Sequence, residues 1–236
     1  MELRRCAAAL VDLVLPGGCA GCGDRVQPWC PGCAAELGPP VRPHLPGGPA
    51  VLAVGRYRGP LRAALLQYKE RGRRDLARPL AELLAAALAE TAGAVGSRTL
   101  WLVPAPSRPG AARARGGDHV ARLCRLLAER RPDARVTRPL RLARRARDSV
   151  GLDAAERAAN LAGRVRVRPA ELPRPRGSGD LVLLVDDVVT SGATLRACRA
   201  ALGRCGVPVA GALVLCDATP GTSSAWWTGG KRNVES

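Results

Sequence analysis

The run at residues 181–194, LVLLVDDVVTSGAT, constrains what this chain can fold into more than any other stretch. Five apolar residues lead directly into Asp186 and Asp187. Val188 and Val189 follow, then a small polar loop, Thr190-Ser191-Gly192-Ala193-Thr194, and a helix-like run over 195–202. A short, branched, wholly apolar run bounded by turn residues is the pattern of a strand buried on both faces, as in a parallel sheet. Such sheets carry ligands beyond the carboxyl ends of their strands. Two carboxylates placed there accept hydrogen bonds from neighbouring hydroxyls. The loop's hydroxyls and N–H groups, with the positive end of the next helix dipole, hold a phosphate. A ligand with hydroxyls at one end and a phosphate at the other is a ribose 5-phosphate. A plain strand with an N-capped turn would explain the apolar residues and one threonine, but not two adjacent acids before this loop.

The nine cysteines are unevenly spread. Cys19, Cys22, Cys30 and Cys33 make two C-x-x-C pairs in a Gly/Pro-rich stretch, where Gly21, Gly23 and Gly32 let the backbone fold back. Four thiolates form the soft tetrahedral site that Zn²⁺ prefers, and with every position filled by protein the metal is structural. Disulfides are the competing reading, and a cytosolic setting argues against them. Cys6, Cys124, Cys198, Cys205 and Cys216 lie on apolar runs and read as buried small hydrophobes. A Pro/Gly-rich linker at 38–49 carries His44, read as solvent-exposed.

Charge is localised. The net charge is +17, and residues 108–176 hold nineteen arginines against seven acids, or +12 of it. The first forty-five residues balance at four basic and four acidic. A concentrated basic segment points to an anionic ligand or nucleic acid. Aromatics are 3% of the chain and phenylalanine is absent, so the core must be Leu, Val and Ala. No run is long and apolar enough to span a membrane. Residues 6–15 are apolar behind two arginines, but the run is short, contains Asp12 and lacks a small-residue cleavage site. It reads as a short helix of a cytoplasmic protein.

Along the rest of the chain, a strand-like run at 51–58 precedes a helix starting near Pro60, and a basic cluster, Lys69, Arg71, Arg73 and Arg74, follows it. Pro79 opens a helix over 80–89. A second buried strand at 100–103 ends in Pro104-Ala105-Pro106-Ser107-Arg108. A strand entering a short, rigid, basic loop suits a pyrophosphate, with small residues allowing close approach and Arg108 supplying charge; the same residues also make an ordinary turn. His119 starts a helix over 120–129, consistent with acid–base chemistry and equally with solvent exposure. Residues 138–147 are strongly basic. A helix through Asn160 has Asp153 as N-cap and Glu156 three residues on. A surface loop at 171–180, a last strand at 207–215 and a disordered Gly/Ser-rich tail with Trp226 and Trp227 complete the chain. The G-x-G at 177–179 precedes a strand and lacks a third glycine, and no P-loop lysine motif occurs, which excludes those nucleotide-binding modes.

The motif VLLVDDVVTSGAT resembles the signature of type I phosphoribosyltransferases. The order of parts narrows the likeness: a four-cysteine knot, Tyr57-Arg58-Gly59-Pro60-Leu61, a lysine segment ending Arg71-Gly72-Arg73-Arg74, the Val103-Pro104-x-Pro106 loop, an Arg-Gly motif, Gly151-Leu152 with Arg157 and Asn160, and the signature last. Over residues 1–218 this is similar to the ComF family, called competence protein F or amidophosphoribosyltransferase-like. The resemblance implies an α/β, parallel-sheet type I phosphoribosyltransferase fold (46–218) behind a small N-terminal helix and zinc knot (1–45), with the tail from 219. It implies that Asp186 and Asp187 bind the ribose hydroxyls and that residues 190–194, flanked by Val188 and Val189, bind the 5-phosphate. Pro104, Ser107 and Arg108 would approach the pyrophosphate, and 141–160 would form a mobile hood. The expected activity is transfer of the phosphoribosyl group from phosphoribosyl pyrophosphate, with Mg²⁺ and release of pyrophosphate. The alternatives are a single-stranded-DNA-handling accessory of the competence machinery, or a sensor of phosphoribosyl pyrophosphate without turnover. Two departures lie where an acceptor would sit. Gly117, Asp118 and His119 replace an aromatic residue, Asn and Gln after Arg-Gly, and Asp148-Ser149-Val150 stands where the family often has Gln before Gly-Leu.

Overall fold

The computed structural model describes residues 18–25, 27–91, 99–107, 117–143, 164–175 and 179–220. The expected helix at 6–15, Cys6, Arg108, the capping pair Asp153 and Glu156, most of the 141–160 segment and the tail from 221 lie outside the described residues.

In chain order come α1 (Pro31–Ala35), β1 (Val51–Arg56), α2 (Gly59–Glu70), α3 (Ala77–Thr91), β2 (Leu100–Pro104), α4 (His119–Glu129), β3 (Ala134–Val136), β4 (Leu140–Leu142), β5 (Val165–Val167), β6 (Leu181–Val189), α5 (Ala193–Gly203) and β7 (Gly211–Asp217). Five strands form one parallel sheet in the order β1-β7-β6-β2-β3. The expected strand is its centre: β6 pairs with β2 from Leu100↔Leu181 to Pro104↔Val185, and with β7 from Leu183↔Gly211 to Val189↔Asp217. An all-parallel sheet needs cover on both faces. One face packs α2, α3 and α4 through Leu65, Leu80, Leu84, Leu123 and Leu127. The other packs α5 and the separate β4–β5 ribbon through Leu195, Leu202, Leu140 and Val165. With no phenylalanine available, the largest fully buried side chains are all leucines.

Boundaries differ from the sequence reading where local caps decide them. The helix expected over 80–89 begins at Ala77, because Pro79 sits in its first turn, where a missing N–H breaks no bond. The last strand begins at Gly211, not at 207. Gly206 adopts φ +74°, its N–H donates to Gly203 O at 2.9 Å, and the Val207 N–H donates to Leu202 O at 3.1 Å. These two bonds close α5 in a Schellman motif, and Val207 packs back into the core as its apolar contact. Cys205, expected to be buried, is exposed on that turn. Cys124, Cys198 and Cys216 are buried as expected, and His44 is exposed. Strands β3, β4 and β5 were not foreseen; each is three residues long, and β4 lies inside the basic run at 138–147. Among the described residues, no helix is long and apolar enough to cross a membrane.

Candidate functional site

After β2 the chain returns as α4 on one face of the sheet; after β6 it returns as α5 on the other. Connections that diverge from adjacent parallel strands open a crevice at the strands' carboxyl ends. A cavity of about 470 Å³ lies there, within the range of small-ligand sites. Tyr57, Lys69, Ala105, Pro106, Ser107 and His119 form part of its wall, and Asp186, Asp187, Val188, Thr190, Thr194 and Ala218 the rest. Of the anticipated residues, Ser107, Asp186, Asp187, Val188, Thr190 and Thr194 therefore meet in one place. Pro104 does not line the cavity; it is buried in β2 opposite Val185. Val189 is buried in the core, and Ser191, Gly192 and Ala193 form the turn behind Thr190 without lining the cavity.

That turn leads into α5. Its first intrahelical bond runs from the Arg196 N–H to Gly192 O at 2.9 Å, while the Ala193 N–H donates to Ser191 Oγ at 3.4 Å. The other N–H groups of the first turn have no intrahelical acceptor. Gly192 has φ +70°, and a Cβ there would fall 2.6 Å from Leu45 Cγ. Gly192→Ala is expected to destabilise the protein by about 2–5 kcal/mol, about 1–2 from the strain of a left-handed residue bearing a Cβ and about 1–3 from displacing the buried Leu45. Chemical denaturation checks this, and an unchanged midpoint would show that the loop relaxes freely.

The two acids have different surroundings, because successive strand residues face opposite ways. Asp187 is 6% exposed. Its Oδ2 accepts from Lys69 Nζ at 2.7 Å and from His119 Nε2 at 2.7 Å. Burial pushes the Asp187 carboxyl up, but the His119 hydrogen bond and the Lys69 charge outweigh it and hold it well below the usual carboxylate range. Asp186 is half-buried; its Oδ1 accepts the Asp187 N–H at 2.8 Å. Desolvation, then the neighbouring Asp187 charge, raises its carboxyl to about 8. One acid is thus a fixed anion and the other keeps a proton near neutrality, an arrangement typical of functional sites.

His119 is where the sequence reading needs correction. Solvent exposure was as acceptable as acid–base chemistry, yet the side chain is 7% exposed. Asp118 caps α4 through the Ala121 N–H at 3.1 Å, which fixes His119 as the first helical residue. The helix packs on the sheet end, so its first side chain points under β6. Tyr68 Oη donates to His119 O at 2.9 Å, and the two rings meet edge to face at 6.0 Å. Lys69, read only as part of a basic cluster, is the other missed residue. Arg73 of the same cluster is structural: it forks onto Asp75 at 2.7 and 3.0 Å and donates to Gln67 Oε1 and Gly18 O.

The four N-terminal cysteines converge. Their sulfurs all lie within 4.8 Å of one another, with Cys19–Cys33 and Cys22–Cys30 each at 3.6 Å. Tetrahedral zinc–thiolate bonds of about 2.3 Å place sulfurs about 3.8 Å apart, so the set fits a structural metal ion. The N–H groups of Gly21 and Cys30 point at Cys19 Sγ, at 3.4 and 3.3 Å. Burial raises the Cys19 thiol, but hydrogen bonds with Cys22, Cys30 and Gly21 bring it down to about 6, while burial and the neighbouring sulfurs push the Cys33 thiol up. The knot docks on α2: Gln67 Nε2 donates to Ala20 O at 2.9 Å, and Trp29, Cys30 and Cys33 join the core cluster of that face.

No protein-family model matches this chain, and no curated protein sequence matches it. Among solved structures it is similar to the hypoxanthine phosphoribosyltransferase of Trypanosoma cruzi. One structure, from work on that enzyme's C-terminal region, oligomeric state and activity, matches at 21% identity and TM-score 0.34, covering 63% of this chain and 66% of that one. Another, in complex with the product IMP, matches at 22% identity and TM-score 0.33, covering 63% and 68%. The likeness transfers no residue role.

Proposed function

We propose that the cavity binds phosphoribosyl pyrophosphate and that the protein transfers its phosphoribosyl group to an acceptor. The observation that carries this is the convergence on one cavity of two adjacent acids, one of them clamped by Lys69 and His119, with Thr190 and Thr194 at the two ends of the helix-initiating turn and the Pro106-Ser107 loop. Asp186, which lines the cavity, accepts from the ribose hydroxyls. Asp187, clamped by Lys69 and His119, holds its negative charge beneath the anomeric carbon as that carbon becomes positive. Thr190, Thr194 and the first turn of α5 hold the 5-phosphate. In the transfer, the bond from the anomeric carbon to the pyrophosphate oxygen breaks and its electron pair leaves on pyrophosphate. The acceptor's lone pair forms the new bond, and its proton passes to solvent. Mg²⁺ would be held mainly by the pyrophosphate's own oxygens and by waters, and would neutralise the pyrophosphate charge. The order of motifs supports placing the chain in the ComF family, and the cysteine knot supports structural Zn²⁺. A second reading, a single-stranded-DNA-handling protein of the competence machinery, draws on the exposed Arg138, Arg141, Arg166 and Arg168; a sensor without turnover would use the same cavity.

Calorimetry with phosphoribosyl pyrophosphate and Mg²⁺ tests this, with pyrophosphate release separating enzyme from sensor. Hydroxyls donate to the carboxylate form of Asp186, so affinity should climb as pH rises from 7 towards 8, by at most about tenfold per unit, then level off. Above pH 7 the ligand's own phosphate is already ionised. Asp186→Asn should bind roughly 10- to 100-fold more weakly at pH 8.5, the loss of a charge-assisted hydrogen bond, and show a flat profile. Equal affinity in the variant, or a flat wild-type profile, would remove the ribose role from Asp186.

A further inference from the structure

A second cavity, of about 1010 Å³, shares Pro106 and Ser107 with the first. Its far wall is the β4–β5 ribbon, in which Arg141 and Arg166 are directly opposite one another. Alternation sends Leu140, Leu142, Val165 and Val167 to the core and leaves the two arginines together on the other face. Like charges placed opposite across an antiparallel pair repel. Arg138 and Arg168, which also line the cavity, have carboxylates beside them, Asp118 at 3.4 Å and Glu171 at 2.8 Å. Arg141 and Arg166 make no ion pair among the described residues. Two arginines paired across the ribbon and lining one cavity are matched by an anion that bridges them, since each offers a planar fork of donors to a carboxylate.

We infer that this cavity holds the acceptor and that the acceptor is a small carboxylate-bearing molecule, its acid group on Arg141 and Arg166 and its nucleophile facing the shared Ser107 wall. This rests on the phosphoribosyl reading of the first cavity. A nucleic-acid strand fits less well: among the described residues no aromatic side chain lines the cavity for base stacking. Pro106 supplies apolar wall for the acceptor's body instead.

The test uses the full zinc-loaded chain and matched probes: orotate against uracil, nicotinate against nicotinamide, anthranilate against aniline. Calorimetry on protein saturated with phosphoribosyl pyrophosphate should show a carboxylated probe binding at least about tenfold tighter than its neutral partner. Arg141→Gln with Arg166→Gln should abolish that preference, weakening the carboxylate by roughly 30-fold or more, with affinity for phosphoribosyl pyrophosphate unchanged and the thermal midpoint no lower, since the repulsion between the two is relieved. The inference is overturned if no probe binds, if the pairs bind alike, or if the double variant keeps the preference. It is also overturned if the variant instead loses low-salt binding of a labelled oligonucleotide. Should phosphoribosyl pyrophosphate itself fail to bind while carboxylates still bind through the arginines, the phosphoribosyl reading falls and the anion selectivity of the cavity stands.

Discussion

Replacing Asp187 with alanine should lower the thermal midpoint by about 6–12 °C at pH 7. The carboxylate is buried, and Lys69 Nζ and His119 Nε2 both end on its Oδ2 at 2.7 Å. Removing one member of a buried pair typically costs about 3–5 kcal/mol, because the partner charge stays behind. Lys69 is a third exposed and can turn to water, so about 3 kcal/mol is the better figure. Each kcal/mol moves the midpoint of a chain this size by about 2–4 °C. Adding Lys69→Met to Asp187→Ala should recover part of the loss, since the stranded charge is gone. Scanning calorimetry at several pH values adds a signed check. Asp187 has a lowered carboxyl, so its stabilisation is present above about pH 4 and is lost as pH falls below that. Asp186 has a raised one, so the folded state holds an extra proton between about pH 4 and 8 and loses stability as pH rises through that window. Asp186→Asn should therefore flatten the decline towards pH 8 and leave the acid limb intact. A midpoint unmoved by Asp187→Ala would mean that the three-way contact is absent in solution.

Stripping the cysteine knot of metal should have the largest effect on the whole molecule. Metal analysis of protein prepared under reducing conditions should find one Zn²⁺ per chain. Removing it with a chelator, or changing Cys33 to serine, should lower the midpoint by about 10–20 °C. Structural zinc sites contribute on the order of 10 kcal/mol to the folding of the segment that binds them. Here the segment is joined to the sheet: Trp29, Cys30 and Cys33 share a core cluster with Leu61, Leu65 and Val54, and Arg73 and Gln67 of the α2 region bond to the backbone of Gly18 and Ala20. Losing an aromatic side chain such as Trp29 from a core alone costs about 3–5 kcal/mol. Protein free of metal as purified, or a midpoint indifferent to the chelator, would mean that the four thiols cluster without an ion.

Strand β6, its two acids and the turn into α5 were legible because they are consecutive: fourteen residues carry the apolar run, the carboxylates and the helix start. The cysteine knot was legible for the same reason, since two tight turns bring each pair together and only one further chain reversal joins them. A strand buried on both faces also announced a parallel sheet with helices on both sides. What surrounds Asp187 could not be read this way. His119 and Lys69 lie sixty-eight and one hundred and eighteen residues before it, and nothing local distinguishes them from a capping-turn histidine or a surface lysine. The sheet order, which sets β2 beside β6 and sends α4 and α5 to opposite faces, brings them to one oxygen and thereby separates the two acids' protonation states. The β4–β5 ribbon was hidden for a related reason. Three-residue strands carry too short an alternation to see, and only their pairing across the intervening chain turns a diffuse basic run into two facing arginines.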